Sequence, residues 1–322
     1  MGKNMILNQY INHHSDANEK YEKAIILMQV GSFSEIYGTL DNKGPDLNEI
    51  SNITNCSIAM KSKDSDNAHY MIGWPKIADG KYIPILLDSG YHIVIIEQKD
   101  DSPSTHIVRE ITSIISAGTA LDYNTNDTNN LMSIYIENYE NNNKTLHGCG
   151  LSIIDLATGK NYITHILDDL NNNHSYEVVA SHFMNIYTPS EVIIHNANLD
   201  ISKNDYIQIF NIPHENVSIN FFKSVKKYEK LSYQNDFLQK IFNFTNMCSA
   251  IENIYCETKP ETVLSYVLLL EYIYQHRSNI INNIDPPEHL ENISYLNLTN
   301  NSIRQLNIIS NSNNYKGKHD SL

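Results

Sequence analysis

The stretch that decides the fold is Ala24–Gly38, "AIILMQVGSFSEIYG". Its first seven residues form a short apolar run, the pattern of a strand covered on both faces. Gly31 and Ser32 then turn the chain. Ser32-Phe33-Ser34-Glu35 fits the S-x-x-E capping box, with Ser32 as the cap and Glu35 reaching back to its N–H. That reading makes "SFSEIYGTL" the opening of a helix and Phe33 a first-turn aromatic. It leaves a second role open, because a residue at the first helical position can point outward toward a ligand.

Around this stretch the chain alternates. Residues 1–23 read as a helix, "NITNCSIAM" as a strand and "KSKDSDNAH" as a polar loop. "KIADGKYIPILLDSG" has helical spacing and ends on Gly90, a natural residue just past a helix end. Pro84 then belongs in its first turn or at a kink. "YHIVIIEQ" and "HIVREITSIISAGTALD" are further extended segments, so a small mixed α/β domain is expected.

The polar run "DYNTNDTNN" at 122–130 is the first boundary. Three strands follow, "LMSIYIENY", "CGLSIIDL" and "NYITHIL", joined by turns as an antiparallel meander. A helix near 174–187, the strand "EVIIH", a helix near 203–211 and the strand-like "NVSIN" complete an RNase-H-like order. From about 235 the pattern is helical, in "FLQKIFNFTNMCSAIENIYC" and "ETVLSYVLLLEYIYQHRSNIINNI". The second is apolar on nearly all sides from Val263 to Ile273 and must be covered by several partners. The remaining sequence offers none, so the chain is expected to be the front part of a larger protein. The expected segments are 1–122, 123–234 and 235–322, the last an all-α beginning.

The formal net charge of -14 argues against a general nucleic-acid binder, though one local surface can still be basic. Only Arg109 and Arg277 precede residue 300, so phosphate contacts would rest on lysines, backbone N–H groups and helix N-termini. Four separated cysteines without CxxC or Cys/His spacing suit a reduced intracellular protein with no metal site. The N-terminus lacks a signal peptide's apolar core. The longest apolar run is interrupted by Glu271 and is too short to span a bilayer. No P-loop is present.

Six pieces stand in order: "LMQVGSFSEIY", "MIGWP", "LLDSGYHIVIIEQ", "VREITSIISAGTALD", "GLSIIDLATGK" and "LNLTNNSIRQLNI" with the closing "GKHDSL". Together they resemble the N-terminal part of the MutS family of mismatch-repair proteins. The resemblance implies a mismatch-recognition domain, an RNase-H-like connector and the entry to a helical core. "LMQVGSF" resembles the branch known from giant DNA viruses and some organelles. Gln29 stands where a basic residue is common, Ser32 where Asp is, Ser34 where Tyr is, and Ala117 where Pro is.

The resemblance implies that Phe33 is a wedge at a mispaired base, entering from the minor groove, and that Glu35 hydrogen-bonds the displaced base. The physics is direct: a mispaired step is cheaper to unstack and kink than a paired one. A carboxylate near phosphates also weakens binding to undistorted DNA. Lys61 and Lys63 are candidate phosphate contacts, with a solvated loop as the other reading. Partners implied are duplex DNA with mismatches or small loops, a second copy in the full-length protein, and repair factors at the connector. ATP and Mg belong to later family domains, so no catalytic or cofactor residue is expected here, and no membrane.

Two other readings stand beside this one. Asp155 on an RNase-H-like strand could belong to a metal-dependent nuclease, although a strand-end Asp opening the "ATGK" turn explains it better. The connector could instead be a docking module that never touches DNA. Trp74 and His147 are read as packed, and His13-His14 as solvated.

Overall fold

Ala24–Val30 form β1 and Phe33–Thr39 form β2, joined by Gly31-Ser32 in a two-residue hairpin whose end pair is Val30 with Phe33. The structure is a computed structural model. It describes residues 2–290 except 22, 40–43, 62–68, 100–107, 124–128, 142–143, 169–174, 198–201, 211, 213–217, 222–225, 278–280 and 282–283.

The expected helix at "SFSEIYGTL" is therefore a strand. The reason is non-local: Phe33–Thr39 pairs antiparallel with β1 on one side and with β4 (His69–Pro75) on the other. Two ladders satisfy its backbone where a capping box would have satisfied two N–H groups. Gly31 has φ +62° while Ser32 does not enter the positive region, the pattern of a type II′ turn.

The first sheet runs β3-β4-β2-β1-β5-β6, with β3 at Ala59–Met60, β5 at His92–Gln98 and β6 at Arg109–Ile115. Helix α1 (Gly2–Lys20) covers one face, where Tyr10 meets Tyr37 edge-on at 5.3 Å. Helices α2 (Leu47–Thr54) and α3 (Asp79–Asp88) cover the other. There Ser34 donates to Asp79 (3.1 Å), and the α carbon of Gly38 faces Leu47.

Several local expectations change. "NITNC" is the end of α2 and the turn after it, capped in front by Asp46 and closed by Asn55 at φ 56°, so only Ala59–Met60 is strand. "MIGWP" lies in β4. Pro84 sits inside α3, past its first turn. His14, read as solvated, is buried and stacks on Tyr10.

The second sheet is built from β7 (Asn130–Asn141), β8 (Lys144–Asp155), β9 (Asn161–Leu167), β10 (Glu191–Ala197), β11 (Ser218–Phe221) and β12 (Glu288–His289). Its order is β11-β10-β7-β8-β9-β12. The meander β7-β8-β9 is antiparallel, and β10 and β11 run parallel to β7. That is the RNase-H-like arrangement. Helices α4 (Ser175–Tyr187) and α5 (Lys203–Ile209) fall where helical spacing placed them. The chain is thus an α/β protein with two mixed sheets.

The late helices are α6 (Leu231–Phe242), the single turn α7 (Ala250–Asn253) and α8 (Pro260–His276). The expected continuous helix through "FNFTNMC" breaks at Asn243, which takes φ 48°. Helix α8 is buried on nearly every side, as its composition demands. Its partners lie within the chain, so the argument that burial requires an outside partner does not hold. It packs on β7, β8, β9, β6 and α6. Ser265 donates to the Ser133 carbonyl (2.9 Å), Thr262 to the Thr164 carbonyl (3.2 Å) and Tyr266 to Asn161 (2.8 Å). Gly148 and Gly150 make room for it: a Cβ on Gly150 would lie 2.1 Å from the Glu261 carbonyl oxygen. The elements from α1 to β12 form one contact unit, Met1–His289. "LNLTNNSIRQLNI" and "GKHDSL" lie outside the described residues.

Candidate nucleic-acid interface

Strand alternation puts Phe33, Glu35 and Tyr37 on one face of β2, with Ser34, Ile36 and Gly38 on the other. Phe33 stands at the hairpin tip and is 45% exposed, an unusual state for a phenylalanine in a sheet whose neighbours are buried. Glu35, two residues deeper, is only 7% exposed. Opposite it lies Gly73, where a Cβ would sit 3.2 Å from Glu35 Cγ, so the missing side chain leaves the carboxylate its path.

Glu35 is held by two donors. The Tyr37 hydroxyl donates to Oε2, and Lys61 Nζ lies 2.5 Å from the same oxygen. Lys61 also reaches the Tyr37 hydroxyl (3.0 Å) and sits 5.0 Å from the centre of its ring. Burial and then the Glu35 hydrogen bond raise the Tyr37 phenol, which stays protonated and donates. Lys61 is therefore brought to Glu35, where the sequence had placed it on a loop. Lys63 lies outside the described residues.

The tip is braced from both sides, by residues the sequence reading did not select. Gln29, noted only as a departure from a basic residue, accepts from Gln98 N–H (3.0 Å) and donates to the Gly31 carbonyl (3.1 Å). Arg109 Nε donates to the Gln29 carbonyl (3.1 Å). The Gln98 amide, oriented by its neighbours, accepts from Gly31 N–H (3.2 Å) and from Arg109 (3.0 Å). From the β4 side, Lys76 N–H donates to the Ser32 carbonyl (2.9 Å), and its ammonium pairs with Glu97. The only sequence signal for this was Gly-Ser between two β-prone runs, a hairpin signature. A braced tip holds Phe33 in one place before any ligand arrives, which lowers the ordering cost of inserting it.

Trp74 is packed, as expected: it is buried, donates to Asp79 (2.7 Å) and lies against Tyr82. Asp155 is consumed by its turn, accepting from Asn129 N–H, Ala157 N–H and the Thr158 hydroxyl. Glu191 is buried at the start of β10 and accepts from Ser116, Gly118 and Tyr272. Among the described residues no group of three or more His, Cys, Asp or Glu is placed to hold a metal ion. The nuclease reading thus finds its carboxylates engaged elsewhere. No helix among the described residues is long and apolar enough to cross a membrane.

The stretch that carries this sheet, hairpin and tip, residues 8–124, matches the family described as MutS domain I. The likeness extends further along the chain. A DNA mismatch repair mutS homolog of Acanthamoeba polyphaga mimivirus is 28% identical over 92% of this chain. The DNA mismatch repair protein MutS of Caldanaerobacter subterraneus subsp. tengcongensis is 28% identical over 94% of it. The chain spans 29% and 32% of the length of these two relatives. The fowlpox virus Holliday junction resolvase overlays 45% of this chain and 97% of its own, at 16% identity and a TM-score of 0.28, too low to argue from.

Proposed function

We propose that this chain reads mismatched duplex DNA by inserting Phe33 at the mispaired step from the minor groove. The observation that carries the reading is the exposed Phe33 at a hairpin tip braced by Gln29, Gln98, Arg109 and Lys76, with Glu35 on the same strand face. A mispaired step costs less to unstack, so a rigid aromatic finds it by energy and not by base-edge code. Glu35 then meets the displaced base, and Lys61, freed from Glu35, meets a phosphate. Lys63 is assigned the same role by its place in the sequence.

We assign this chain the binding step and no ATP turnover, since its sequence has no P-loop. Residues 1–122 are proposed as the recognition segment, with the connector beginning at 123. We place the end of that connector after β12 and not at 234, because α8 packs on its sheet. A second copy and downstream repair factors are partners the family resemblance suggests.

The test is competition binding of Phe33→Ala with mismatched and matched duplexes. The preference for the mismatch is expected to disappear, while the unfolding midpoint stays close to that of the unsubstituted chain, because the ring is half-exposed. An unchanged preference in a folded Phe33→Ala protein removes the assignment.

A further inference from the structure

One buried carboxylate ties the two sheets together. Glu191 opens β10 of the second sheet and is fully buried. Its Oε2 accepts from the Ser116 hydroxyl (2.6 Å) and from Gly118 N–H (2.9 Å), both in the turn that follows β6 of the first sheet. Its Oε1 accepts from the Tyr272 hydroxyl of α8 (2.7 Å). His92 Nε2, at the start of β5, lies 3.5 Å from Oε1 and 2.9 Å from the Tyr272 hydroxyl. Four stretches far apart in the chain thus meet at one side chain.

The turn is shaped for this contact. A Cβ on Gly118 would lie 2.7 Å from Glu191 Oε2 and 2.6 Å from Leu131, so only glycine lets its N–H come this close. The Gly118 carbonyl is held in turn by Asn129 at the edge of β7 (2.7 Å). Tyr21, just past α1, stacks on His92 at 4.5 Å, and the His276 ring lies 4.0 Å from that of Tyr272. Burial alone would raise the Glu191 carboxyl. Hydrogen bonds from His92, Ser116 and Tyr272 overcome it and bring the group to about 2, so it stays an acceptor at neutral pH.

We propose that Glu191 is a positioning residue that sets the angle of the Phe33-bearing sheet on the second sheet, and so sets where the hairpin tip can meet DNA. The effect on DNA rests on the mismatch-reading assignment above; the effect on the angle does not. Removing the node deletes bonds to both ends of the junction at once. A buried donor left without its acceptor also drives local rearrangement.

The experiment uses the full 322-residue chain. Spin labels are placed at Asp88→Cys on α3 and Val178→Cys on α4, both exposed, in a background where Cys56 and Cys248 are serine. The unsubstituted junction is expected to give one narrow distance distribution. Glu191→Leu is expected to broaden it and to lower the mismatch preference roughly three- to thirtyfold, the range of remote coupling substitutions. Glu191→Gln keeps one acceptor for Ser116 and Gly118 and a donor for the Tyr272 oxygen, so it is expected to restore the narrow distribution. If Glu191→Leu does not fold, the Ser116→Ala, Tyr272→Phe double variant decides by the same readout. Folded variants with a lowered melting temperature and an unbroadened distribution would overturn the proposal. Phe33→Ala is the control: it is expected to lose the preference with the distances unchanged. A parent chain that shows no mismatch preference would end the DNA reading alone, because the distance measurement still tests the junction.

Discussion

Lys61 and Glu35 form an ion pair of 2.5 Å, with the lysine also 3.0 Å from the Tyr37 hydroxyl, so the acid of the candidate site is occupied before DNA arrives. A carboxylate this buried has lost most of its water and relies on those two donors. The pair therefore has two separable consequences, one for stability and one for DNA.

Lys61→Met is expected to cost about 1–2 kcal/mol of folding stability by leaving a buried carboxylate short of a donor. Combining it with Glu35→Gln should recover most of that loss, as a double-mutant cycle in urea would show. Should Lys61 reach a phosphate in the complex, Lys61→Met should also lower the slope of log K against log salt by about one. An unchanged slope confines Lys61 to its pairing with Glu35.

Gly31 tests the hairpin. Its φ of +62° is left-handed, and a Cβ there would meet no other atom within 4 Å. The cost of substitution is thus conformational and not steric. Gly31→Ala should destabilise by about 1 kcal/mol, and Gly31→Asn by less, since Asn tolerates this region. Equal losses for the two in thermal unfolding would contradict a turn of this kind.

Gly150 tests the seat of α8. With the Glu261 carbonyl 2.1 Å from the position of an added Cβ, the obstruction is backbone and cannot rotate away. Gly150→Ala should cost on the order of 3 kcal/mol, at the upper end for overpacking. Gly80→Ala, where a Cβ meets nothing within 4 Å, should be neutral or stabilising in the same urea titration.

Acid stability should report the buried histidines. Burial, and then the neighbouring His92, lower the His276 imidazole to about 4, and burial lowers that of His195 to about 3. Both are therefore neutral in the folded chain and take a proton on unfolding below about pH 6.5. Stability should be full above that pH and fall toward pH 4 by about 1 kcal/mol per unit for each histidine. His276→Phe should flatten the profile over this window, and an unaltered slope by urea titration at several pH values would assign the effect elsewhere.

The legible part of the fold was the part with a period. "AIILMQV" and "YHIVIIEQ" are strands, α3 runs at helical spacing to Gly90, and the meander of β7, β8 and β9 follows its turns. The candidate site was legible only through resemblance. The i, i+2 spacing of Phe33 and Glu35 would have placed them on one face of a strand, but the capping-box pattern masked it. Gln29, Gln98 and Arg109 fall in three separate pieces of that resemblance, but their meeting was not legible, because a brace across three strands leaves no spacing in the chain.

What the sequence determined by itself was local: where apolar runs, glycines and helical periods fall, and that α8 had to be buried. What only the tertiary structure decided was which of two satisfied states each ambiguous segment takes. "SFSEIYGTL" can cap a helix with its own Ser32 and Glu35, yet Phe33–Thr39 becomes a strand because β4 pairs along all of it and β1 pairs with Phe33–Glu35. Helix α8 needs no covering from outside the chain because Gly148 and Gly150 open the face of β8 to it. Glu191 meets Ser116, Gly118 and Tyr272 only once both sheets exist. The physical reason is the same each time: backbone pairing and burial join residues far apart in the chain, and a local pattern records only its own half of such a contact.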